Sequence, residues 1–324
     1  METGSWMRKN RISVALCTYE GQRFLPQQLA SIQQQTRLPD ELVVCDDRST
    51  DRTIEIVREF AASVSFPVRI FENEHNLGFA ANFERAIGLC DGDLIALSDQ
   101  DDIWYPIRLQ RSEQEFTAHP EAGLIFSDGD VIDDQDQLLG MRLWQNFGFV
   151  GERKQRLLAG DYTVLVKNRF VTGATVMFRS RLRENCLPVG TGWIHDEWIV
   201  SIVAAVADLR PIDSPLIRYR KHVSQQVGLP SPSFRERKKR HWNELSRQIG
   251  LLQEICSRLS ELPLTERGHV LLSCYQAHLR FARFRYALPA HRLARLSGML
   301  KQYSSYTACG TGVLSMATDL VLSK

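Results

Sequence analysis

The sequence predicts an α/β fold, a mostly parallel sheet flanked by helices, followed by a C-terminal helical appendage. Three observations predict it. Over the first 130 residues, short apolar runs alternate with segments whose apolar residues recur at helical spacing. Acidic clusters stand directly after two of those runs, at the strand ends where an open α/β sheet binds its ligands. After Gly228-Leu229-Pro230-Ser231-Pro232 the chain turns basic and helical, which divides it into residues 1–230 and 231–324.

Each element follows from its pattern. Ile12 to Leu16 suits a strand buried on both faces, and Leu25, Leu29 and Ile32 then mark a helix. Glu41 to Cys45 is a second strand that ends in Asp46-Asp47. Ser49, Thr50 and Asp51 offer N-caps for a helix striped by Ile54, Val57, Phe60 and Ala61. Val68 to Phe71 is a third strand, and Asn76-Leu77-Gly78 turns into a helix carrying Ala80, Phe83, Ala86 and Ile87. Leu94 to Leu97 is the fourth strand. A helix from about Ile107 to His119-Pro120 precedes the fifth, Gly123 to Ser127. Repeated βα units on this spacing imply right-handed crossovers. From residue 129 to 230 the pattern loosens around strands at Ala174–Phe178 and Leu216–Tyr219 and a helix from Trp198 to Ala207.

Composition narrows the class. With 44% hydrophobic and 24% charged residues among 324, the chain has the make-up of a soluble globular protein. Its most apolar stretch, Trp198 to Ala207, is too short to span a bilayer, and the polar N-terminus has no leader pattern. Seven scattered cysteines without a Cys-x-x-Cys pair point to free thiols in a reducing cytosol, with no zinc site. The net charge of +2 hides an asymmetry: residues 231–324 hold 15 Lys and Arg against 6 Asp and Glu.

The fourth strand runs into Ser98-Asp99-Gln100-Asp101-Asp102-Ile103-Trp104. Asp99 and Asp101, two apart, point the same way on an extended stretch. Hard oxygen donors suit Mg²⁺ or Mn²⁺, ions that share their coordination sphere with substrate phosphates. Asp102 is expected to cap the helix beyond Trp104-Tyr105-Pro106.

Read in order, Val14 to Glu20, Gln33 to Thr36, Val43 to Asp51, Asn76 to Asn82, Asp99-Gln100-Asp101, Thr172 to Thr175, His195-Asp196-Glu197-Trp198 and Arg218 to Gly228 resemble the inverting family 2 glycosyltransferases. The resemblance covers roughly residues 11–228 and implies the GT-A fold of nucleotide-diphospho-sugar transferases. Glu20 stands where the family has Asn, and Arg48 where it has Gly, so the backbone at 48 must accept a side chain.

The resemblance also implies roles. Thr18, Tyr19, Glu20, Asn76, Gly78 and Asn82 would lie beside the nucleotide. Asp47 would accept the base N3–H, which suits a group offering only acceptors. Asp101 would ligate Mn²⁺ or Mg²⁺, and Asp99 would touch the ribose or a metal-bound water, with Gln100 and Trp104 alongside. His222 would be a third ligand or a diphosphate contact, and Arg220 or Lys221 would neutralise phosphates in a loop that closes over the donor. Gly173 would line the sugar site. Asp196 would be the base, with Glu197 its local rival. Sugar transfer needs all of these together: a cation stabilises the leaving diphosphate, and a base on the opposite face deprotonates the acceptor hydroxyl.

The expected protein is a metal-dependent inverting transferase in the cytoplasm, peripheral at the inner face of the plasma membrane. It would move a hexose or deoxyhexose (rhamnose- or galactose-type) from UDP or dTDP to a cell-surface polysaccharide or lipid-linked glycan. A nucleotidyltransferase would instead carry a Gly-rich basic loop where this chain has Cys17-Thr18-Tyr19-Glu20-Gly21. A non-catalytic nucleotide-sugar-binding protein is the other alternative. In the tail, Arg235 to Trp242 and the Arg280–Tyr286 stretch, where Leu279, Phe281, Phe284 and Leu288 interleave with arginines, suit packing on the catalytic domain, a homodimer contact or an anionic membrane. No nucleic-acid-binding motif accompanies the charge.

Overall fold

The computed structural model describes residues 9–222, 234–289, 291–310 and 312–321. Strand β1 (Ile12–Thr18) is buried at every position, as expected for a central strand covered on both faces. It pairs in parallel with β2 (Glu41–Asp46) and β4 (Leu94–Ser98), and β2 pairs in parallel with β3 (Val68–Glu72). The registers set Thr18 opposite Asp46 and Leu16 opposite Ser98. The loops after β1, β2 and β4 therefore leave the sheet along one edge, with their polar residues side by side.

The sheet continues in the order β3-β2-β1-β4-β8-β6-β9-β5. Here β8 (Val176–Arg179) runs antiparallel between β4 and β6 (Ala122–Ile132), while β9 (Asp208–Arg220) is parallel to β6. The short β5 (Ile103–Trp104) closes the far edge, and β7 (Leu138–Arg142) forms a hairpin with β6. Two strands outrun the sequence pattern. β6 passes through Ser127-Asp128-Gly129-Asp130 because β9 completes its ladder there. β9 begins well before Leu216 despite Pro211 and Pro215, which argue against a regular strand; the register shifts opposite Pro215 absorb the second proline.

Helices α1 (Leu25–Gln33), α2 (Thr53–Ser63), α3 (Phe79–Leu89) and α4 (Arg108–Ala118) are the crossovers of the N-terminal half, followed by the short α5 (Leu143–Asn146), α6 (Gly151–Leu158) and α7 (Arg183–Cys186). Helix α8 (His195–Val206) is buried continuously from Trp198 to Ala205, the signature of a helix enclosed on all sides. What encloses it on one side is the C-terminal region: α9 (Phe234–Ser260) and α10 (Glu266–Tyr286). Leu252, Ile255, Leu259, Leu271 and Tyr275 belong to the same hydrophobic core as β1 and β4. A Cβ on Gly268 would overlap the Ala205 carbonyl, so α10 lies against α8 at glycine range. Thr265 fastens that contact, its N–H donating to Ala205 O at 3.0 Å while its Oγ1 accepts from Gly268 N at 3.0 Å.

Helices α11 (Arg292–Lys301), α12 (Tyr303–Cys309) and α13 (Val313–Val321) form a satellite cluster around Met299, Tyr306 and Met316. Its buried Asp319 accepts from Arg285 Nε at 2.7 Å, Arg285 Nη2 at 2.6 Å and Tyr306 Oη at 2.7 Å. All seven cysteines are free thiols. Among the described residues no helix is long and apolar enough to cross a membrane.

The α8–α10 contact yields a paired test. Gly268→Ala overpacks the interface and lowers unfolding stability by about 1–3 kcal/mol. Gly250→Ala, on an open stretch of α9, raises it by about 0.5–1 kcal/mol. Urea denaturation of both variants measures the difference.

Candidate active site

The loops after β1 and β4 are clasped by one side chain. Gln100 Oε1 accepts from Tyr19 N at 2.8 Å, and Gln100 Nε2 donates to Tyr19 O at 2.9 Å. Thr18 is buried and donates to Asp46 Oδ1 at 2.7 Å, whereas Tyr19 stands exposed at the edge. Glu20 ties this loop to the next, its Oε1 accepting from Thr50 N at 2.8 Å. Arg48 takes φ +65°, the left-handed conformation anticipated where the family has Gly. Asp46 serves the turn, accepting from Ser49 N and Ser49 Oγ at 2.7 and 2.6 Å.

Asp47 has a fuller set of partners. Its Oδ1 accepts from Asn73 Nδ2 at 2.8 Å and Leu77 N at 2.7 Å, and its Oδ2 accepts from Gly78 N at 2.8 Å. The carboxylate thus folds the Asn76-Leu77-Gly78 turn over itself, and Gly78 at φ +82° makes the turn possible. Asn76 joins it through Asp47 O at 3.3 Å. Asn82, expected beside the nucleotide, is buried beneath the turn: its amide donates to Cys45 O at 2.8 Å and accepts from Asn73 at 2.9 Å. It positions the loop from beneath.

The acidic cluster divides by depth. Asp101 Oδ2 lies 2.9 Å from His222 Nε2, and the His222 ring rests against Phe24 at 4.9 Å. These two expected ligands are brought together. Asp99 is not part of a ready-made set with them, since among the described residues no three His, Cys, Asp or Glu side chains converge as a metal cluster. Burial, then Asp101 and Asp196, push the Asp99 carboxyl up to about 8, against the pull of Arg108.

Asp102 is not a helix cap. It is buried, its Oδ1 accepts from Arg220 N at 2.9 Å, and burial followed by Asp101 and Asp99 raises its pKa strongly. It lies six residues before α4, beyond capping reach. Trp104 and Arg220 also turn inward. Trp104 is buried under the Arg108 guanidinium, 3.7 Å from the ring centroid. Arg220 is fully buried: its Nε donates to Asp101 O at 2.7 Å, Nη1 to Asp133 O at 3.0 Å and Nη2 to Gln27 at 3.0 Å. It fixes the Asp101 backbone from within the fold, whereas the expected phosphate contact calls for an accessible guanidinium. Lys221 is exposed, with Nζ 3.4 Å from Asn146 Oδ1. Residues 223–228 of the expected closing loop, like the side chains of 235–241 in the basic tail, lie outside the described residues.

Two further members had no assigned role: Arg108 carried no motif signal, and Tyr219 lay within the Arg218–Gly228 motif without a role of its own. Arg108 is buried beneath the cluster, its Nη2 donating to Leu97 O at 3.2 Å. Burial lowers its pKa to about 9 against the opposing pull of Asp102 and Asp99. Tyr219, whose phenol is raised by burial and then by Asp102, Asp99, Asp101 and Asp196, sits among all four carboxylates. Its place in β9, next to Arg220, was the available clue.

Asp196 approaches from α8. Its Oδ2 accepts from Gly173 N at 2.7 Å and its Oδ1 from Glu197 N at 2.7 Å. A Cβ at Gly173 would come 2.9 Å from His195 Nε2 and 3.3 Å from Asp196 Oδ2, so only glycine permits this approach. His195 is buried and stacked on Phe83 at 3.9 Å, and burial lowers its pKa despite Asp196. Glu197 turns to another side of the helix, where its Oε1 meets Arg169 Nε at 2.8 Å. Burial pushes the Glu197 carboxyl up to about 7 against Arg169.

Residues 13–183 match the family model described as Glycosyl transferase family 2. EpsE of Bacillus subtilis (strain 168) is 30% identical over 143 residues, which are 44% of this chain and 47% of that protein. The dTDP-rhamnosyl transferase RfbG of Shigella flexneri is 36% identical over 101 residues, 30% of this chain and 35% of that protein. The chain spans about half the length of EpsE and 35% of RfbG. Among solved structures, S. aureus TarS 1-349 in complex with UDP-GlcNAc superposes with a TM-score of 0.57 at 14% identity, covering 94% of this chain and 83% of that one. Mannosyltransferase PcManGT from Pyrobaculum calidifontis, in complex with GDP-Man and Mn²⁺, gives 0.53 at 18% identity over 98% and 82%. These likenesses establish the GT-A fold.

The buried arginine generates a test. Arg108→Met removes the guanidinium stacked on Trp104 and its hydrogen bond to Leu97 O, and destabilises the protein by about 1–3 kcal/mol at neutral pH. A urea midpoint unchanged from wild type would refute that role.

Proposed function

The chain belongs to glycosyltransferase family 2, and from that premise we propose that it transfers a hexose or deoxyhexose, rhamnose- or galactose-type, with inversion from a UDP or dTDP donor. The acceptor is a cell-surface polysaccharide or lipid-linked glycan. One observation carries this reading: Asp196, held by two backbone N–H groups, and the Asp101–His222 pair reach the same sheet edge from separate elements. The dTDP-rhamnosyl activity named for RfbG supports the donor class.

A divalent cation fits the residues present. Asp101 and His222 offer an oxygen and a nitrogen, few enough to leave room for diphosphate oxygens, the arrangement Mg²⁺ and Mn²⁺ favour. When bound, the ion supplies Lewis-acid stabilisation of the leaving diphosphate. The protein's own residues do the rest. Asp196 accepts the proton of the acceptor hydroxyl as its oxygen bonds to the anomeric carbon. The bond from that carbon to the diphosphate breaks, and its electron pair leaves with the diphosphate. Gly173 N and Glu197 N orient the base, and the Gln100 clasp holds Tyr19 beside the donor. Glu197, paired with Arg169 on another side of α8, is set aside as the base.

Peripheral membrane attachment has support in the tail. On α11, Leu293 is 72% and Leu300 60% exposed, with the half-exposed Leu296 between them. Asp319, the one acid between residues 287 and 324, is buried, and the exposed Lys301 follows Leu300 at the end of this apolar stripe, a combination that suits an anionic membrane.

Two measurements test the reading on purified protein with Mn²⁺ or Mg²⁺ and a panel of UDP-, dTDP- and GDP-sugars. Asp196→Asn lowers transfer or donor hydrolysis by about 10²–10⁴-fold while nucleotide affinity stays near wild type; a wild-type rate sinks the base assignment. Removing the metal with EDTA, or Asp101→Ala, weakens donor binding in calorimetry. Unchanged affinity in both sinks the metal role.

A further inference from the structure

Beside the base, on the flank of α8 that Glu197 faces, lies a cavity of about 360 Å³ between residues 165–171 and the C-terminal helices. That volume falls within the range of small-molecule sites, about 300–1,000 Å³. It adjoins the catalytic centre along both chain segments. Phe170 and Val171 line it just before Gly173, whose N–H holds Asp196, and Glu197 lines it as the next residue after Asp196.

The lining is chemically specific. His278 on α10 is 7% exposed; its Nδ1 lies 2.9 Å from Cys274 O, and its Nε2 has no partner. Nδ1–H must donate to that carbonyl, so Nε2 carries a lone pair that calls for a donor. Burial lowers the His278 pKa, which keeps the ring neutral. Tyr275 Oη and Ser201 Oγ share a hydrogen bond of 2.7 Å in the same wall. Glu197, paired with Arg169 at the rim, adds acceptors, and Gln248 on α9 adds an amide. Between these groups stand Trp193, Val200 and Leu251.

Three ligand classes can be compared on that chemistry. An anion such as phosphate would find Lys167 and Arg169 in the lining, but Arg169 is engaged by Glu197 and Lys167 donates to Ala308 O, which leaves it facing the Glu197 carboxylate and a second acceptor at Nε2. An isoprenoid or acyl chain would leave His278 Nε2 without a partner and cover the Gln248 amide with apolar surface, which is costly. A pyranose ring offers hydroxyl donors around its rim and an apolar C–H face for Trp193, and satisfies both halves of the lining.

We propose that this cavity is an acceptor subsite that binds a sugar residue of the glycan, with His278 Nε2 and Glu197 accepting its hydroxyls and Trp193 under its ring. The bound residue anchors the glycan so that a neighbouring hydroxyl reaches Asp196 around the first turn of α8. Helices α9 and α10 are thereby part of acceptor recognition. This inference rests on the glycan acceptor of the preceding reading.

Saturation-transfer NMR on the full chain tests it, with methyl α-L-rhamnoside, methyl β-D-galactoside, methyl β-D-glucoside and their disaccharides as probes. At least one probe is expected to bind wild type. Gln248→Trp, which fills the mouth from an exposed helix position, should abolish that binding, and His278→Phe should weaken it at least tenfold. UDP and dTDP affinity, measured by calorimetry on the same samples, should stay unchanged. The subsite is overturned if no probe binds wild type, leaving water alone for His278, or if either variant binds like wild type. Nucleotide binding separates the two ideas: glycoside binding without any nucleotide binding would defeat the transferase reading and leave the sugar subsite standing.

Discussion

Concentrating carboxylates at one sheet edge is electrostatically expensive, and the rest of the site depends on how that cost is met. Asp99, Asp101, Asp102 and Asp196 all act on Tyr219, and two of them are held well above the usual carboxylate range. Two buried arginines compensate from below. Arg108, stacked on Trp104, faces Asp99 and Asp102. Arg220 binds the Asp101 carbonyl and, through its own N–H, Asp102. Removing water from such groups is tolerable only where charges and hydrogen bonds are matched. The arginines therefore decide which acids are structural and which remain at the surface of the cleft.

That division explains what was legible in the sequence. β1, β2 and β4 are buried on both faces, so their apolar runs announce them. β9 extends well before its apolar run at Leu216–Tyr219 because the ladder with β6 carries it past Pro211 and Pro215 across the bulges. In the site, Asp101 and His222 meet, and Asp196 is held on Gly173 N. Trp104, Asn82 and Arg220 are of residue types that bind ligands at surfaces, yet here each is spent on an internal partner. Side-chain direction near the ends of helices and strands depends on tertiary contacts that a linear pattern does not encode. Arg108 escaped notice for the same reason, since at the start of a largely polar helix it looks like any solvated arginine.

The rivalry between Asp196 and Glu197 shows the limit most clearly. Adjacent acids at a helix start are equivalent in sequence, but successive helical residues point about 100° apart. Gly173, with no Cβ to obstruct His195 or Asp196, draws one acid towards the sheet edge. Arg169 holds the other on the flank where α9 and α10 pack. One helical turn thus serves two surfaces, and the chain boundary near residue 230 does not separate them.

The contact of Gly268 with Ala205 has a wider meaning for how such a chain can change. α8 is apolar around its circumference, so the first 230 residues end with an unfinished core that only the following helices complete. Modules that recombine freely across a lineage are those whose cores close within themselves. Here the helices that finish the core also pack against the helix that carries Asp196 and Glu197, so a new tail can be acquired only together with a compatible face on α8. A change of size on one side of this contact must be matched on the other, whereas the outermost helices α11–α13 carry their own small core.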